Sequence, residues 1–323
     1  MDSKPSGITP GRLLLIYAVA IFVIFVVVPA GLYKTIDPER LDLDQTARNS
    51  APGQFVKLTD GYTHYEIAGP PDGPVVVLAA GATVPYYIWD PTFAALVNDG
   101  FRVLRYDYYG RGFSDRPDIP FKQELYVRQL TELLDAVHIT QPVDLMGLSF
   151  GGSVITSMAA RHPARVRSLV YVDPAFRTPE MLSALESMPR AWNVLTAIVD
   201  ERSWADSQLN DFAHPERFPD WPDRYRVQLR YRGFRRARLS DVVNNAESDQ
   251  RDELQEIGND PRPVLVVWGK QDPNVPFELS ASLLGVMPSA RLVAVDDAGH
   301  LPQWEQPQIV QPAILAFLRE VHP

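Results

Sequence analysis

Residues 143–152 read Val-Asp-Leu-Met-Gly-Leu-Ser-Phe-Gly-Gly, and the succession of residue types in them decides the fold. Residues 143–146 are a short, mostly apolar run, as a strand buried on both faces requires. A helical pattern over 150–161 follows at once. Between them stands Gly147-Leu148-Ser149-Phe150-Gly151, glycine-x-serine-x-glycine at a strand-to-helix turn. A serine there sits on so sharp a turn that the residues two before and two after crowd its backbone, and glycine fits without a Cβ clash. Gly147 and Gly151 are therefore expected to be steric necessities, and Ser149 is the candidate nucleophile. The amino-terminal N–H groups of the following helix favour negative charge developing beside it.

Outward from this turn, β-rich runs alternate with helical patterns, the signature of a mostly parallel central sheet flanked by helices. Upstream, 54–58 and 62–67 flank Asp60-Gly61, a hairpin signal. Strands at 75–80 and 102–107 follow, with an amphipathic stretch at 86–98 between them and a helix at 123–137 after them. Downstream, 166–172 is the sixth strand. The alternation then stops between Pro174 and Pro263, a stretch that looks helical and is rich in Arg, Trp and Pro. It resumes with a strand at 264–268, a helix at 278–286, a strand at 291–295 and a last helix at 307–321. The expected organisation is an α/β core made of 54–174 and 263–323, with a helical cap, 175–262, inserted after the sixth strand.

The chain has 323 residues, 46% hydrophobic and 22% charged, enough to bury a full core. With 31 basic and 40 acidic residues the formal charge is -9, which argues against a nucleic-acid partner. Without cysteine there is no disulfide, thiolate metal site or cysteine nucleophile. No metal or organic cofactor is indicated. Residues 13–32 carry no charge, and as a helix rising about 1.5 Å per residue they would span roughly the 30 Å of a bilayer core. Lys4 and Arg12 precede this run, and acids outnumber bases just after it, which leaves the amino terminus cytoplasmic and the rest outside. Residues 1–34 are thus expected to be a membrane anchor, a single transmembrane helix. A cleaved signal peptide, with secretion, remains open because of Val28-Pro29-Ala30, although the run exceeds the usual 7–15 residues or so of such a segment. A buried core helix is a third reading. Residues 35–53 read as a linker.

A serine hydroxyl is a weak nucleophile until a base takes its proton. Of six histidines, His64, His138, His162, His214 and His322 lie in strand patterns, at helix ends, in the insert or at the terminus, positions that suit structural or solvated roles. His300 follows the last strand in Asp296-Asp297-Ala298-Gly299-His300-Leu301-Pro302, a loop at the carboxyl end of a strand, where α/β sheets place their ligands. Its acidic partner is expected to be Asp272, just beyond the strand at 264–268; Asp173, at the tip of the sixth strand, is a rival. Asp296 and Asp297 read as loop solvation. For oxyanion donors the backbone N–H of Phe150 and that of Ala82, in Ala80-Gly81-Ala82-Thr83, are the candidates, with Gly81 permitting the turn. A merely flexible loop is the alternative for the second.

The order Ser149, Asp272, His300 resembles the α/β-hydrolase superfamily, specifically its capped serine hydrolase branch of esterases and lipases, over 54–323. Asp107-Tyr108-Tyr109-Gly110-Arg111-Gly112-Phe113-Ser114 is similar to the family's D-x-x-G-x-G-x-S turn, and Trp89 occupies a position where members often carry an aromatic. Many members have His-Gly before the oxyanion residue; here it is Ala80-Gly81. The resemblance implies an α/β-hydrolase fold and hydrolysis of a carboxylic ester, an acylglycerol or another small to medium acyl ester, through an acyl-enzyme. Relatives that need an aspartate nucleophile are excluded by Ser149. Members that bind a free amine would want acids in the cap, whereas this insert carries Arg224, Arg226, Arg230, Arg232, Arg235, Arg236 and Arg238. Carbon-carbon bond hydrolysis and cofactor-free haloperoxidase chemistry remain open on the same triad, as does a catalytically silent ligand-binding protein. The arginines read as a solvated helix face paired with Asp241, Glu247 and Asp249, against an alternative in which they greet anionic lipid. Trp192, Trp204, Trp221, Tyr225, Tyr231 and Phe234 suit either an acyl pocket or core packing.

Overall fold

The computed structural model describes residues 39–176, 201–245 and 249–323, together with Tyr17, Val19 and Val23. Eight strands form one sheet: β1 (Gln54–Lys57), β2 (Tyr62–Ala68), β3 (Val75–Ala79), β4 (Arg102–Tyr106), β5 (Val143–Leu148), β6 (Val166–Val172), β7 (Val264–Gly269) and β8 (Arg291–Val295). Their spatial order is β1-β2-β4-β3-β5-β6-β7-β8. β2 pairs antiparallel with β1 and with β4, and every other pairing is parallel, so β2 alone runs against the rest. The β1–β2 hairpin closes through Leu58 N–H donating to the Gly61 carbonyl at 2.8 Å, as Asp60-Gly61 leads one to expect.

β3, β5 and β7 are buried along their whole length, which is why their sequences are nearly unbroken runs of Val, Leu and Met. The helices around the sheet include α2 (Asp90–Asn98), α3 (Gln123–Ala136), α4 (Phe150–Arg161), α9 (Leu279–Val286) and α11 (Pro307–Val321); α4 is entered directly from the turn that carries Ser149, and α11 from the short helix α10 (Pro302–Glu305) that follows His300. The pattern over 86–98 resolves into a 3₁₀ turn, Tyr86–Trp89, followed by α2, because Pro91 is confined to the first turn of a helix. Strand order reverses between β3 and β5, and Ala82, Ser149, Asp173, Asp272 and His300 follow the carboxyl ends of β3, β5, β6, β7 and β8.

The stretch 41–53 is held in place. Leu41 exchanges backbone hydrogen bonds with Arg230 and Arg232, both 2.9 Å. Helix α1 (Gln45–Ser50) is capped by Asp44, whose carboxylate accepts from Ala47 N–H, and Arg48 pairs with Asp115 at 2.8 Å. Of the apolar segment 13–32, only Tyr17, Val19 and Val23 are described; among the described residues no helix is long and apolar enough to cross a membrane.

Within the insert the described helices are α5 (Glu201–Ser207), α6 (Trp221–Leu229) and α7 (Phe234–Asn245); α8 (Arg251–Asn259) then packs on α4, with Leu254 and Ile257 buried and Ser157 Oγ donating to Glu253 at 2.6 Å. Trp221, Tyr225, Tyr231 and Phe234 are buried, and Trp221 packs edge-on against Trp304 of α10, with centroids 5.1 Å apart. These aromatics join the insert to the core; Trp192 lies outside the described residues. Arg226, Arg232 and Arg236 are exposed, and the arginines pair both along their own helices and across to other segments. Arg224 reaches Asp90 (2.6 Å) and Arg236 reaches Asp118 (2.7 Å), both in the core, while Arg232 pairs with Asp42 and Arg226 with Asp206 and Asp223. Of the partners expected, Asp241 lies 3.8 Å from Arg238, Asp249 pairs with Arg251, and Glu247 lies outside the described residues. The pairs to Asp90, Asp118 and Asp42 have a geometric reason: a helix lying on another layer also meets acids distant in sequence, which i, i+4 spacing does not reveal.

Candidate active site

Ser149 sits at the carboxyl end of β5 with φ 53° and ψ -121°, a left-handed backbone that a residue with a Cβ adopts only under constraint. The constraints are its own backbone hydrogen bonds. Its N–H donates to the Val172 carbonyl (3.0 Å), and its carbonyl accepts from Gly152 N–H (2.8 Å) and Ala175 N–H (3.0 Å). The flanking glycines are needed for close approach. A Cβ on Gly147 would lie 2.4 Å from the Gly151 carbonyl oxygen, and one on Gly151 would lie 2.3 Å from that of Ala79. Gly81 is different. A Cβ there would meet nothing nearer than Ser149 Cβ at 3.7 Å, an ordinary contact, so the turn does not depend on that glycine.

His300 is buried at the carboxyl end of β8, and its Nδ1 lies 2.7 Å from Asp272 Oδ2. The other Asp272 oxygen accepts from Asn274 N–H (2.7 Å) and Val275 N–H (2.9 Å), so the carboxylate is clamped with one oxygen toward the imidazole. Burial alone would lower the His300 pKa, but the hydrogen bond to Asp272 and the charges of Asp272 and Asp211 outweigh it and leave it raised. Asp173, the rival acid, is fully buried behind Asp272 and does not bond to the imidazole; its Oδ1 accepts from Gly269 N–H at 2.8 Å. Among the described residues, Asp173, Asp272 and His300 are the one group of three acid or histidine ligand atoms within 4.8 Å of one another. Nδ1 of His300 and Asp272 Oδ2 are already engaged with each other, which suits a dyad rather than a metal site.

Ala82 lies on the loop after β3, whose carbonyls are held from the far side. Arg111 Nε donates to the Ala82 carbonyl and Gln228 Nε2 to that of Thr83 (2.9 Å). Phe150 opens α4 beside Ser149. Ser149 and His300 line one cavity of about 210 Å³, together with Gly81, Ala82 and a polar set of Thr83, Gln208, Asp211 and Asn274. No lysine or arginine lines it among the described residues. Asp211 and Gln208 come from the insert and carry no local signal in the sequence. Asn274 follows the turn signal Asp272-Pro273 and could have been flagged by it.

Asp296 and Asp297 are exposed, as loop acids in contact with solvent should be, and each also makes a surface ion pair. Asp297 Oδ1 lies 2.6 Å from His214 Nε2 in the insert, and the Asp297 backbone carbonyl accepts from Gln306. Asp296 pairs with Lys270 at 2.7 Å. Glu305 draws the same two segments together by accepting from Gly299 N–H (2.6 Å) and His214 N–H (2.9 Å). His300 N–H itself donates to the Asp211 carbonyl at 2.7 Å. The D-x-x-G-x-G-x-S turn is a separate scaffold. Asp107 accepts from His64 Nδ1 (2.7 Å), Tyr86 N–H (2.8 Å) and Phe113 N–H (2.9 Å), and a Cβ on Gly112 would fall on its carboxylate. Burial would raise the Asp107 pKa, but His64 and the two N–H groups reverse this and hold it below the usual range.

Known proteins share this arrangement of sheet and loops. The 2-hydroxymuconate semialdehyde hydrolase of Pseudomonas putida is 30% identical over 226 residues, 68% of this chain and 77% of its own. Among solved structures, a thermophilic esterase from Thermogutta terrifontis superposes with a TM-score of 0.72 at 26% identity, covering 84% of this chain and all of its own. The enol-lactonase of Burkholderia xenovorans LB400 gives 0.70 at 26% identity, covering 82% and 100%. The family model for the alpha/beta hydrolase family matches residues 76–311, and the chain, with its serine elbow at the end of β5 and its histidine after β8, is an enzyme of that family.

Proposed function

We propose that the protein is a serine hydrolase that cleaves an uncharged carboxylic ester of small to medium acyl length. The observation that carries this reading is a serine held at positive φ in the same cavity as a histidine bonded to a buried carboxylate. In the proposed reaction Ser149 Oγ attacks the ester carbonyl while His300 Nε2 takes its proton. Asp272 keeps Nδ1 protonated and stabilises the imidazolium. The N–H groups of Ala82 and Phe150 hold the oxyanion. Collapse of the tetrahedral species expels the alcohol, which takes the proton back from His300. Water, deprotonated by the same base, then attacks the acyl-serine and releases the acid.

An esterase and an enol-lactonase among the relatives support ester cleavage, since a lactone is a cyclic ester. The relative named for 2-hydroxymuconate semialdehyde favours a second reading, because that substance contains no ester and its hydrolysis must break a carbon-carbon bond. A muconate is an anion, however, and among the described residues the cavity offers it no arginine or lysine, only Thr83, Asp211, neutral amides and the apolar Val84, Ile88, Leu148 and Leu301 beside Ser149 and His300. We further propose that residues 13–32 anchor the chain in a membrane, with the catalytic part on the non-cytoplasmic side. Fractionation of cells expressing the full chain tests this; recovery without detergent in the supernatant would refute it.

The reaction is tested with the solubilised full chain and its Ser149→Ala variant, using p-nitrophenyl esters of increasing acyl length, 2-hydroxymuconate semialdehyde and a fluorophosphonate label. Ester turnover and labelling that vanish together in the variant are expected. Turnover of the muconate alone would favour the carbon-carbon reading, and neither activity would leave a ligand-binding protein.

A further inference from the structure

Three acids approach His300, Asp272 from the loop after β7, Asp173 from the tip of β6 and Asp211 from the insert, and a fourth, Glu305 of α10, lies near Asp173. Asp211 and Glu305 are each bonded elsewhere, to Asn274 and to the N–H groups of Gly299 and His214. The pair Asp173 and Asp272 is different in kind. Both are buried, with ligand oxygens within 4.8 Å, and two carboxylates that close in a site shut off from water do not both ionise.

The hydrogen bonds show which of the two keeps the proton. Asp272 faces three donors, Asn274 N–H, Val275 N–H and His300 Nδ1, as a carboxylate requires. Asp173 has one, Gly269 N–H on Oδ1. Its Oδ2 is buried and receives no donor, an expensive state for a charged oxygen and a natural one for a hydroxyl. We propose that Asp173 holds a proton and donates it in a hydrogen bond to Asp272, so that the two acids together present a single negative charge to His300. Burial, and then the neighbouring Asp272, push the Asp173 carboxyl well above the usual range, in agreement with the geometry. Asp173 is in this sense a positioning residue: it touches no substrate, and it orients the carboxylate that orients the base. The inference rests on His300 as the base, but its test needs no substrate, so it stands or falls apart from the question of which bond is cleaved.

The test titrates His300 by NMR in the full chain and in Asp173→Asn, with the resonance assigned through His300→Gln. Asparagine keeps a donor toward Asp272 and an acceptor for Gly269, and it is neutral. A His300 pKa that moves by less than about half a unit is expected, because no charge has been removed. A larger fall would overturn the proposal, since losing a full negative charge at such a distance lowers a histidine pKa by about 1–3 units. Infrared difference spectra, wild type minus Asp173→Asn near neutral pH, supply the second readout. The carbonyl band of a protonated carboxylic acid is expected, and its absence would equally overturn the assignment. Asp173→Ser, also neutral and also a donor, serves both comparisons if the asparagine variant does not fold.

Discussion

Arg111 offers a way to separate the stability of this protein from the geometry of its proposed oxyanion site. Its side chain is 1% exposed, donates through Nε to the Ala82 carbonyl, and lies 3.2 Å from Asp241 of α7. Arg111→Met strips a buried carboxylate of a buried cation partner, a loss of about 3–5 kcal/mol. Tyr126, which donates to Asp241 at 2.8 Å, and Arg238 at 3.8 Å place the loss at the lower end of that range. At about 2–4 °C per kcal/mol the melting temperature should fall by about 10 °C. The Ala82 carbonyl also loses its donor, and the adjoining peptide can turn. Complete loss of an oxyanion donor costs about a hundredfold to a thousandfold in kcat, so a displaced one should cost about tenfold to a hundredfold with little change in KM. The informative variant is the double one, Arg111→Met with Asp241→Leu. Removing both charges should restore much of the melting temperature, while kcat on a p-nitrophenyl ester stays low because the carbonyl is still unheld. Recovery of kcat in step with stability would show that Arg111 acts only as a strut and would refute the argument.

Gly151→Ala drives a Cβ against the Ala79 and Ala80 carbonyl oxygens, at 2.3 and 2.6 Å, and backbone there cannot step aside. A loss of about 1–3 kcal/mol with fluorophosphonate labelling abolished is expected, and thermal melts with gel fluorescence check both. Because His300 must be neutral to take a proton and its pKa is raised, kcat/KM should fall on the acid side of a midpoint above that of a free imidazole. Asp272→Asn should move that midpoint down. The same shift stabilises the fold at pH below the unfolded histidine value, and this contribution disappears as pH rises through the folded one, which melts across that window would register. Arg224 stacks over the Tyr87 ring at 4.1 Å and pairs with Asp90, so Arg224→Ala should cost about 1–2 kcal/mol, read as a lower melting temperature.

Where a residue's role depends on its immediate neighbours, the sequence alone was informative. The strands of 143–148 and 166–172 are apolar because both faces are covered, and the glycines two away from Ser149 are fixed by contacts within one turn. The pairing of His300 with Asp272 also followed, through the rule that ligands gather at the carboxyl ends of strands. What could not be read is whatever depends on how the insert lies on the core. Asp211 and Gln208 line the cavity only because the turn carrying them is folded over it, and nothing in Asn210-Asp211-Phe212 announces this. Asp297 is the exposed loop acid its sequence suggests, but its ion-pair partner, His214, lies in the insert and could not be read for the same reason. Arg111 sits inside a motif whose glycines explain themselves, and its hold on Ala82 crosses from one loop to another.

The bonds between the insert and the His300 loop limit how the insert of this chain can be exchanged. Gly299 has no room for a side chain because the Asp211 carbonyl and Ala213 N–H press on it, and His300 N–H is bonded to that same carbonyl. The turn 208–214 thus behaves as a piece of the His300 loop that happens to be encoded elsewhere. Replacing the whole insert would here displace His300 unless this turn, Asp297 and Glu305 were transferred together as one block. The graft boundary should therefore be drawn through the insert, beyond residue 214, rather than at its ends.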